Sequence, residues 1–184
     1  MNHVPSILLA CALAIPALAQ DAKTDAAPAP EKSAGADIAS SGLAFAASNA
    51  VVSAPLVMTD DYLHLAAEQA EIAGGGKAVF NFSITNAGDY VIEALVNAPE
   101  EDANSFFLNV DAMPEDIGIW DIDVTTGFEK RVVSWRGSGT DSSDEFAPKR
   151  FKLTPGAHKL IVVGREPGAQ LKSLSIRAET AAGK

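Results

Sequence analysis

The chain has 184 residues, 24 acids against 14 bases, a formal charge of -10 and a single cysteine. That length holds one ordinary domain, with or without a tail, and an apolar content of 47% is too high for a disordered chain. The acidic balance excludes a nucleic-acid partner, which needs clustered Lys and Arg. One cysteine excludes a disulfide framework and every multi-cysteine zinc site.

Val4 to Ala19 is an uncharged apolar run ending in Ala17-Leu18-Ala19, with Asp21 and Lys23 immediately after it. Such a run is too short and wrongly flanked to span a membrane, and its small-x-small end reads as a signal peptide, residues 1–19, cleaved after Ala19. The predicted location is therefore periplasmic or secreted. Leu8-Leu9-Ala10-Cys11 loosely resembles a lipoprotein box. The apolar residues continue beyond Cys11, however, and favour a cysteine that leaves with the signal. Residues 20–42 are rich in Ala, Pro, Ser and charge and bury too little apolar surface to offset their ordering entropy, which predicts a disordered tether. Residues 179–184 read as a polar tail.

Between them, residues 43–178 form short apolar runs punctuated by Gly, Pro, Asn and Asp. The expected strands are Leu43–Ala47, Pro55–Met58, Tyr62–Leu65, Lys77–Ile84, Tyr90–Ala98, Ser105–Asp111, Phe128–Trp135, Arg150–Leu153, His158–Gly164 and Leu171–Arg177. The alternation is cleanest in Lys77–Ile84, where Ala78, Phe80, Phe82 and Ile84 share one face. One rival stands beside this pattern: Leu63–Ile72 is rich in Ala and Glu, a composition that also suits a short helix ended by Gly74-Gly75-Gly76. About ten short strands predict an all-β fold, an antiparallel jelly-roll β-sandwich. Residues 1–129 carry 3 bases and 19 acids, whereas residues 130–184 carry 11 bases and 5 acids. In a sandwich that asymmetry predicts cross-strand ion pairs rather than a cationic face.

Catalytic constellations are sparse. His64 and His158 sit inside apolar strand runs and read as structural, and no nucleophile elbow, zinc-protease helix or phosphate loop is present. Asp121 to Gly127 begins like a calcium loop, but the glycine is one place late and Val132 falls where a bidentate carboxylate belongs. The carboxylates Asp111, Glu115, Asp116, Asp121 and Asp123 read as a solvated acidic loop in preference to a cation site. No metal and no cofactor are expected. Aromatic residues are the better lead, because a sugar stacks its C–H face on a flat ring and bonds its hydroxyls to polar neighbours. Trp120 precedes Asp121 and is expected to be exposed. Trp135 precedes Arg136 and shares a face with Val133, so stacking platform and core filler stay equally open.

Asn104-Ser105-Phe106-Phe107-Leu108-Asn109-Val110-Asp111, Trp120, Ser134-Trp135, Phe151-Lys152-Leu153-Thr154-Pro155-Gly156-Ala157-His158 and Arg165-Glu166-Pro167-Gly168-Ala169-Gln170-Leu171 follow one another in this order. The series resembles the galactose-binding-like β-sandwiches related to carbohydrate-binding modules of families 6 and 35. The resemblance implies the same sandwich over Leu43–Ala178, no catalysis and a glycan ligand held by loops at one end or on a concave face. Carried over by position, the ligand-binding candidates are Asn104, Asp111, Trp120, Trp135 and Arg136. Arg165 and Glu166 are either further ligand contacts or a structural lock on the last hairpin, the lock being favoured, and Asp111 has a second reading as a strand-end cap. Relatives hold a structural calcium with two glutamates of an opening strand and a late aspartate. Here those positions look like Phe45-Ala46-Ala47-Ser48 and Lys172, which implies that this calcium is absent. An alternative register would pair Lys172 with Glu68.

The preferred reading is an exported, free-standing, non-catalytic binding module for a glycan or glycoconjugate, with no nucleic acid and no membrane span. The competing reading is a structural or protein-interaction sandwich with a protein partner in the cell envelope.

Overall fold

The computed structural model describes residues 42–67, 74, 76–115, 118–135 and 146–179. The expected signal peptide with Cys11, the tether before Gly42 and the tail beyond Glu179 lie outside the described residues, as do Glu68, Asp116 and Arg136. Among the described residues there are twelve strands: β1 (Leu43–Ala46), β2 (Val51–Ser53), β3 (Leu56–Thr59), β4 (Tyr62–Leu65), β5 (Lys77–Ile84), β6 (Gly88–Asn97), β7 (Ser105–Val110), β8 (Ile119–Asp121), β9 (Glu129–Val132), β10 (Phe151–Leu153), β11 (Gly156–Gly164) and β12 (Gln170–Ala178). Single 3-10 turns occur at Ala47–Asn49 and Glu101–Ala103. Among the described residues no helix is long and apolar enough to cross a membrane.

The strands form two antiparallel sheets. The first runs β10-β6-β12-β4-β3, with β1 also paired to β12 and β9 also paired to β6; the second runs β2-β5-β11-β7-β8. Their inner faces carry the alternating apolar residues that make a sandwich. Ala78, Phe80, Phe82 and Ile84 of β5 are all buried, as are Leu160 and Val162 of β11, Ile92, Ala94 and Val96 of β6, and Leu171, Leu174 and Ile176 of β12. Phe107, Ile119, Ile161 and Val163 form a separate small cluster from the opposite side of the second sheet, since their strand neighbours Phe106, Trp120 and Val162 belong to the main core.

Two elements escape the sequence reading. β2 and β8 have three residues each, too few to show a period. The helix reading of Leu63–Ile72 is corrected over its first three residues, which belong to β4. Two side chains decide this: Leu63 and Leu65 are buried against the core while Tyr62 and His64 stand on the other face, a period of two that no helix has. The expected ion pairing is present. Lys130 pairs with Glu93, Arg131 with Asp123, Lys152 with Asp89 and Lys172 with Asp61, each a late base against an earlier acid.

Candidate functional site

The expected site residues do not converge. Asn104 and Asp111 flank β7, and six extended residues at ~3.3 Å each set them about 20 Å apart, at opposite ends of the sandwich.

At one end, Asp111 adopts a left-handed conformation (φ 63°), which Asp tolerates better than most residues. Its N–H donates to the Lys159 carbonyl at 2.8 Å, its Oδ1 accepts the Lys159 N–H at 2.9 Å, and its Oδ2 lies 2.6 Å from His158 Nδ1. The side chain thus caps the end of β7 onto β11. The flanking groove of about 340 Å³ is lined by Asn81, Ser83, Asp111 and Lys159 among others.

At the other end, the Asn104 N–H donates to Glu166 Oε2 at 3.1 Å and its carbonyl accepts the Ile122 N–H at 2.9 Å. Ser105 is wholly buried; its Oγ donates to Glu166 Oε2 at 2.7 Å and accepts from Arg165 Nη1 at 2.6 Å. Arg165 also pairs with Glu166, and Gly168, at φ 97°, sits so close to Ala103 that a Cβ placed on it would lie only 2.9 Å from the Ala103 Cβ. This is a lock between the β6–β7 and β11–β12 connections. Ser105→Ala removes two charge-assisted bonds and is expected to cost about 1.5–3 kcal/mol. Urea unfolding checks it, and a loss below about 0.5 kcal/mol would count against the lock.

The two tryptophans also part. Exposure of Trp120 is corrected: it is 1% exposed, packs against Phe106, and donates Nε1–H to the Val132 carbonyl at 3.1 Å. The cause is its pairing, since Trp120 lies opposite Phe106 of β7, whose side chain points into the core. Trp135 is half-buried, with Lys149 Nζ 4.9 Å from its ring centre and 5.6 Å from that of Phe151. Burial pushes the Lys149 ammonium below its ordinary pKa. One face of Trp135 is therefore already occupied by a cation.

A different group of residues does converge, on the outer face of the first sheet. With Leu63 and Leu65 inward, Tyr62 and His64 face out. Register sets His64 beside Gln170 and Gln170 beside Asn97. Val96 pairs with Glu129, so Phe128 follows next to Asn97. Rings from distant segments meet here: Tyr62 lies 5.7 Å from His64 and 5.8 Å from Phe128, and all three are half-buried. Asn97 Nδ2 donates to Gln170 Oε1 at 3.1 Å, while its Oδ1 accepts from Thr125 Oγ1 at 3.4 Å. Thr59 Oγ1 is 2.8 Å from His64 Nε2. Lys172 Nζ lies 5.3 Å from the Phe128 ring centre and 2.7 Å from Asp61 Oδ2. Half-exposed rings beside paired amides and a lysine–carboxylate pair offer both an apolar platform and directional hydrogen bonds, with much of each amide's bonding capacity still unspent on its partner.

Lys172 also bears on the calcium that the fold family implies. Where the resemblance puts the late aspartate stands the Lys172 ammonium, paired with Asp61, and Phe45-Ala46-Ala47, where it puts the opening glutamates, brings no carboxylate. The residues at these positions do not fit a calcium ion. The expected partner Glu68 is outside the described residues.

No family model and no curated protein sequence matches the chain. Solved structures do. A family 35 carbohydrate-binding module from Clostridium thermocellum superposes with a TM-score of 0.54 at 12% identity, covering 76% of this chain and 99% of that one. A GH26-CBM35 β-(1,4)-mannanase from Podospora anserina gives 0.54 at 10% identity, over 77% of this chain and 29% of its own. An exo-β-1,3-galactanase from Phanerochaete chrysosporium gives 0.51 at 12% identity, over 73% and 29%. The chain thus spans under a third of the two enzymes. Its fold is a β-sandwich like that of the family 35 carbohydrate-binding module.

Proposed function

We propose that this β-sandwich is a non-catalytic carbohydrate-binding protein, exported by residues 1–19, that holds a glycan on the Tyr62–Phe128 face. The observation that carries the reading is the meeting of Tyr62, His64 and Phe128 beside the Asn97–Gln170 amide pair. Rings take the C–H face of a sugar, and adjacent hydroxyls take the amides. The fold supports it, since the similar solved structures are a carbohydrate-binding module and two enzymes named for glycans.

The one close histidine–carboxylate pair among the described residues supports the non-catalytic part. His158 Nε2 lies 2.7 Å from the Thr154 carbonyl while Nδ1 faces Asp111, leaving no ring nitrogen to take a substrate proton.

Retention on a panel of immobilised polysaccharides, followed by calorimetry on the retained one, tests the proposal. Tyr62→Ala and Phe128→Ala are each expected to weaken binding roughly 2- to 10-fold with an unchanged circular dichroism spectrum. Failure of the wild-type chain to bind any glycan, or full binding by the double variant, would overturn it. Recovery of one envelope protein in fixed ratio, in place of a glycan, would point to an interaction role instead.

A further inference from the structure

Strand β12 carries one residue more than the stretch of β6 it pairs with. Leu171 lies opposite Val96 and Ser173 opposite Leu95, which leaves Lys172 between them without a partner in β6. Leu171 and Leu174 are both buried, three places apart, where strict alternation sets inward residues an even number apart. The extra residue is a β-bulge. It restores the inward phase of β12 and gives the outer face one additional side chain, that of Lys172. Bulges of this kind re-aim a side chain, and this one sends an ammonium to the place where the Tyr62–Phe128 face is put together.

Two segments meet that ammonium. Lys172 Nζ lies 2.7 Å from Asp61 Oδ2 and 5.3 Å from the centre of the Phe128 ring. Asp61 belongs to the turn between β3 and β4 and directly precedes Tyr62; Phe128 directly precedes β9. The Tyr62 and Phe128 rings stand 5.8 Å apart, yet β12 and β6 lie between β4 and β9 in the sheet. No ladder of backbone hydrogen bonds therefore joins the two rings, and side chains must set their spacing. Lys172 is the side chain that touches both segments.

We propose that Lys172 is the positioning residue of this face: one ammonium holds the Asp61 turn and the Phe128 ring, and through them the spacing of Tyr62 and Phe128, so that salt regulates binding there. Both holds are electrostatic, one to a carboxylate and one to the negative face of a ring. The Asp61 side chain is 65% exposed, within reach of screening ions, whose range shortens from about 10 Å at 0.1 M to about 3 Å at 1 M salt. Rising ionic strength therefore loosens the face and releases even a neutral glycan, which has no charge of its own to screen. An exposed ion pair and a single ring contact are each weak, which bounds the effect at about 2- to 5-fold in affinity. The binding consequence rests on the glycan reading of this face; the ring geometry does not.

The experiment reads the geometry first, without a ligand. Nuclear Overhauser contacts between the Tyr62 and Phe128 rings are expected in the wild type at low salt, retained in Lys172→Arg and lost in Lys172→Met, with the circular dichroism spectrum unchanged. Calorimetry on the retained polysaccharide then reads binding. Lys172→Met is expected to bind about 2- to 5-fold more weakly, the wild type to lose a similar factor between low salt and 1 M sodium chloride, and Lys172→Met to show no further salt dependence. The Lys130–Glu93 pair lies on the same face at 3.5 Å, so a salt dependence that persists in Lys172→Met belongs there and overturns the proposal. So do ring contacts that survive in Lys172→Met. If that variant fails to fold, Asp61→Asn, which keeps the ammonium and removes its carboxylate, is read in the same way. If the wild type binds no glycan, the ring contacts still decide the role of Lys172, and only the glycan reading falls.

Discussion

Trp120→Ala is expected to cost about 3–5 kcal/mol of stability, among the largest losses a single change in this sandwich can cause. The ring is 1% exposed, among the largest fully buried side chains of the described core. Its Nε1–H is spent on the Val132 carbonyl, so it joins the edge of one sheet to the edge of the other: β8 carries the ring and β9 the carbonyl. Truncation empties a large volume that the two sheets cannot close, and it strands the Val132 acceptor. Trp120→Phe keeps most of the apolar contact and loses the bond, which predicts a smaller cost of about 1–2 kcal/mol. Chemical denaturation of both variants checks the order, and a Trp120→Ala protein within about 1 kcal/mol of wild type would contradict it. Weakened glycan binding by a Trp120 variant therefore reports on folding, and Tyr62 and Phe128 are the informative positions.

Stability is expected to fall as the pH rises through and above neutrality, and His158 is the cause. Its side chain is 7% exposed, Nδ1 is 2.6 Å from Asp111 Oδ2 and Nε2 is 2.7 Å from the Thr154 carbonyl. Both partners accept, and only the doubly protonated ring donates twice. Burial, the largest single influence, favours the neutral ring. The hydrogen bonds to Asp111 and the Thr154 carbonyl, with the Asp111 charge, together outweigh it and raise the pKa above the ordinary 6.5.

A proton held more tightly in the folded than in the unfolded chain stabilises the fold. That stabilisation is complete below about pH 6.5 and is lost as the pH climbs through the raised folded value. Glu129 and Glu179 act oppositely at low pH. For Glu129 a backbone hydrogen bond from Thr126, and for Glu179 a hydrogen bond from Arg150, is the largest cause of a pKa below the ordinary 4.5. Their contribution, present above about pH 4.5, fades on acidification. Maximum stability is thus expected in mildly acidic solution.

Asp111→Asn should flatten the decline above neutrality. The Asp111 side chain is 49% exposed, so solvent screening holds the cost of that change to about 1–2 kcal/mol in mild acid. Melting temperatures measured from mild acid to mild base for both proteins decide the matter. A flat wild-type profile, or an unchanged slope in Asp111→Asn, would show that His158 is not the titrating group.

How far the sequence could be read follows from how local each feature is. β5 was legible because its burial depends on an alternation contained within eight residues. The late bases were legible as ion-pair partners because an antiparallel sandwich must bring them beside earlier acids. The lock at Arg165 and Glu166 was legible as an adjacent charged pair, though Ser105, its buried centre, was not. Trp120 was misread because a neighbouring aspartate says nothing about which side of a three-residue strand a ring takes; the pairing with β7 decides that. The Tyr62–Phe128 face was missed altogether. Its half that lies in one segment, Tyr62 and His64 opposite Leu63 and Leu65, was visible as alternation.

What brings Phe128 to Tyr62 is the strand order β9-β6-β12-β4, built by pairings between residues as far apart as His64 and Gln170. Alternation and turn residues act over a few bonds, and by themselves they determined a β-sandwich and most of its inward-facing side chains. Strand order and register are set only when the whole chain closes its core, and that closure decided which polar and aromatic groups share a surface.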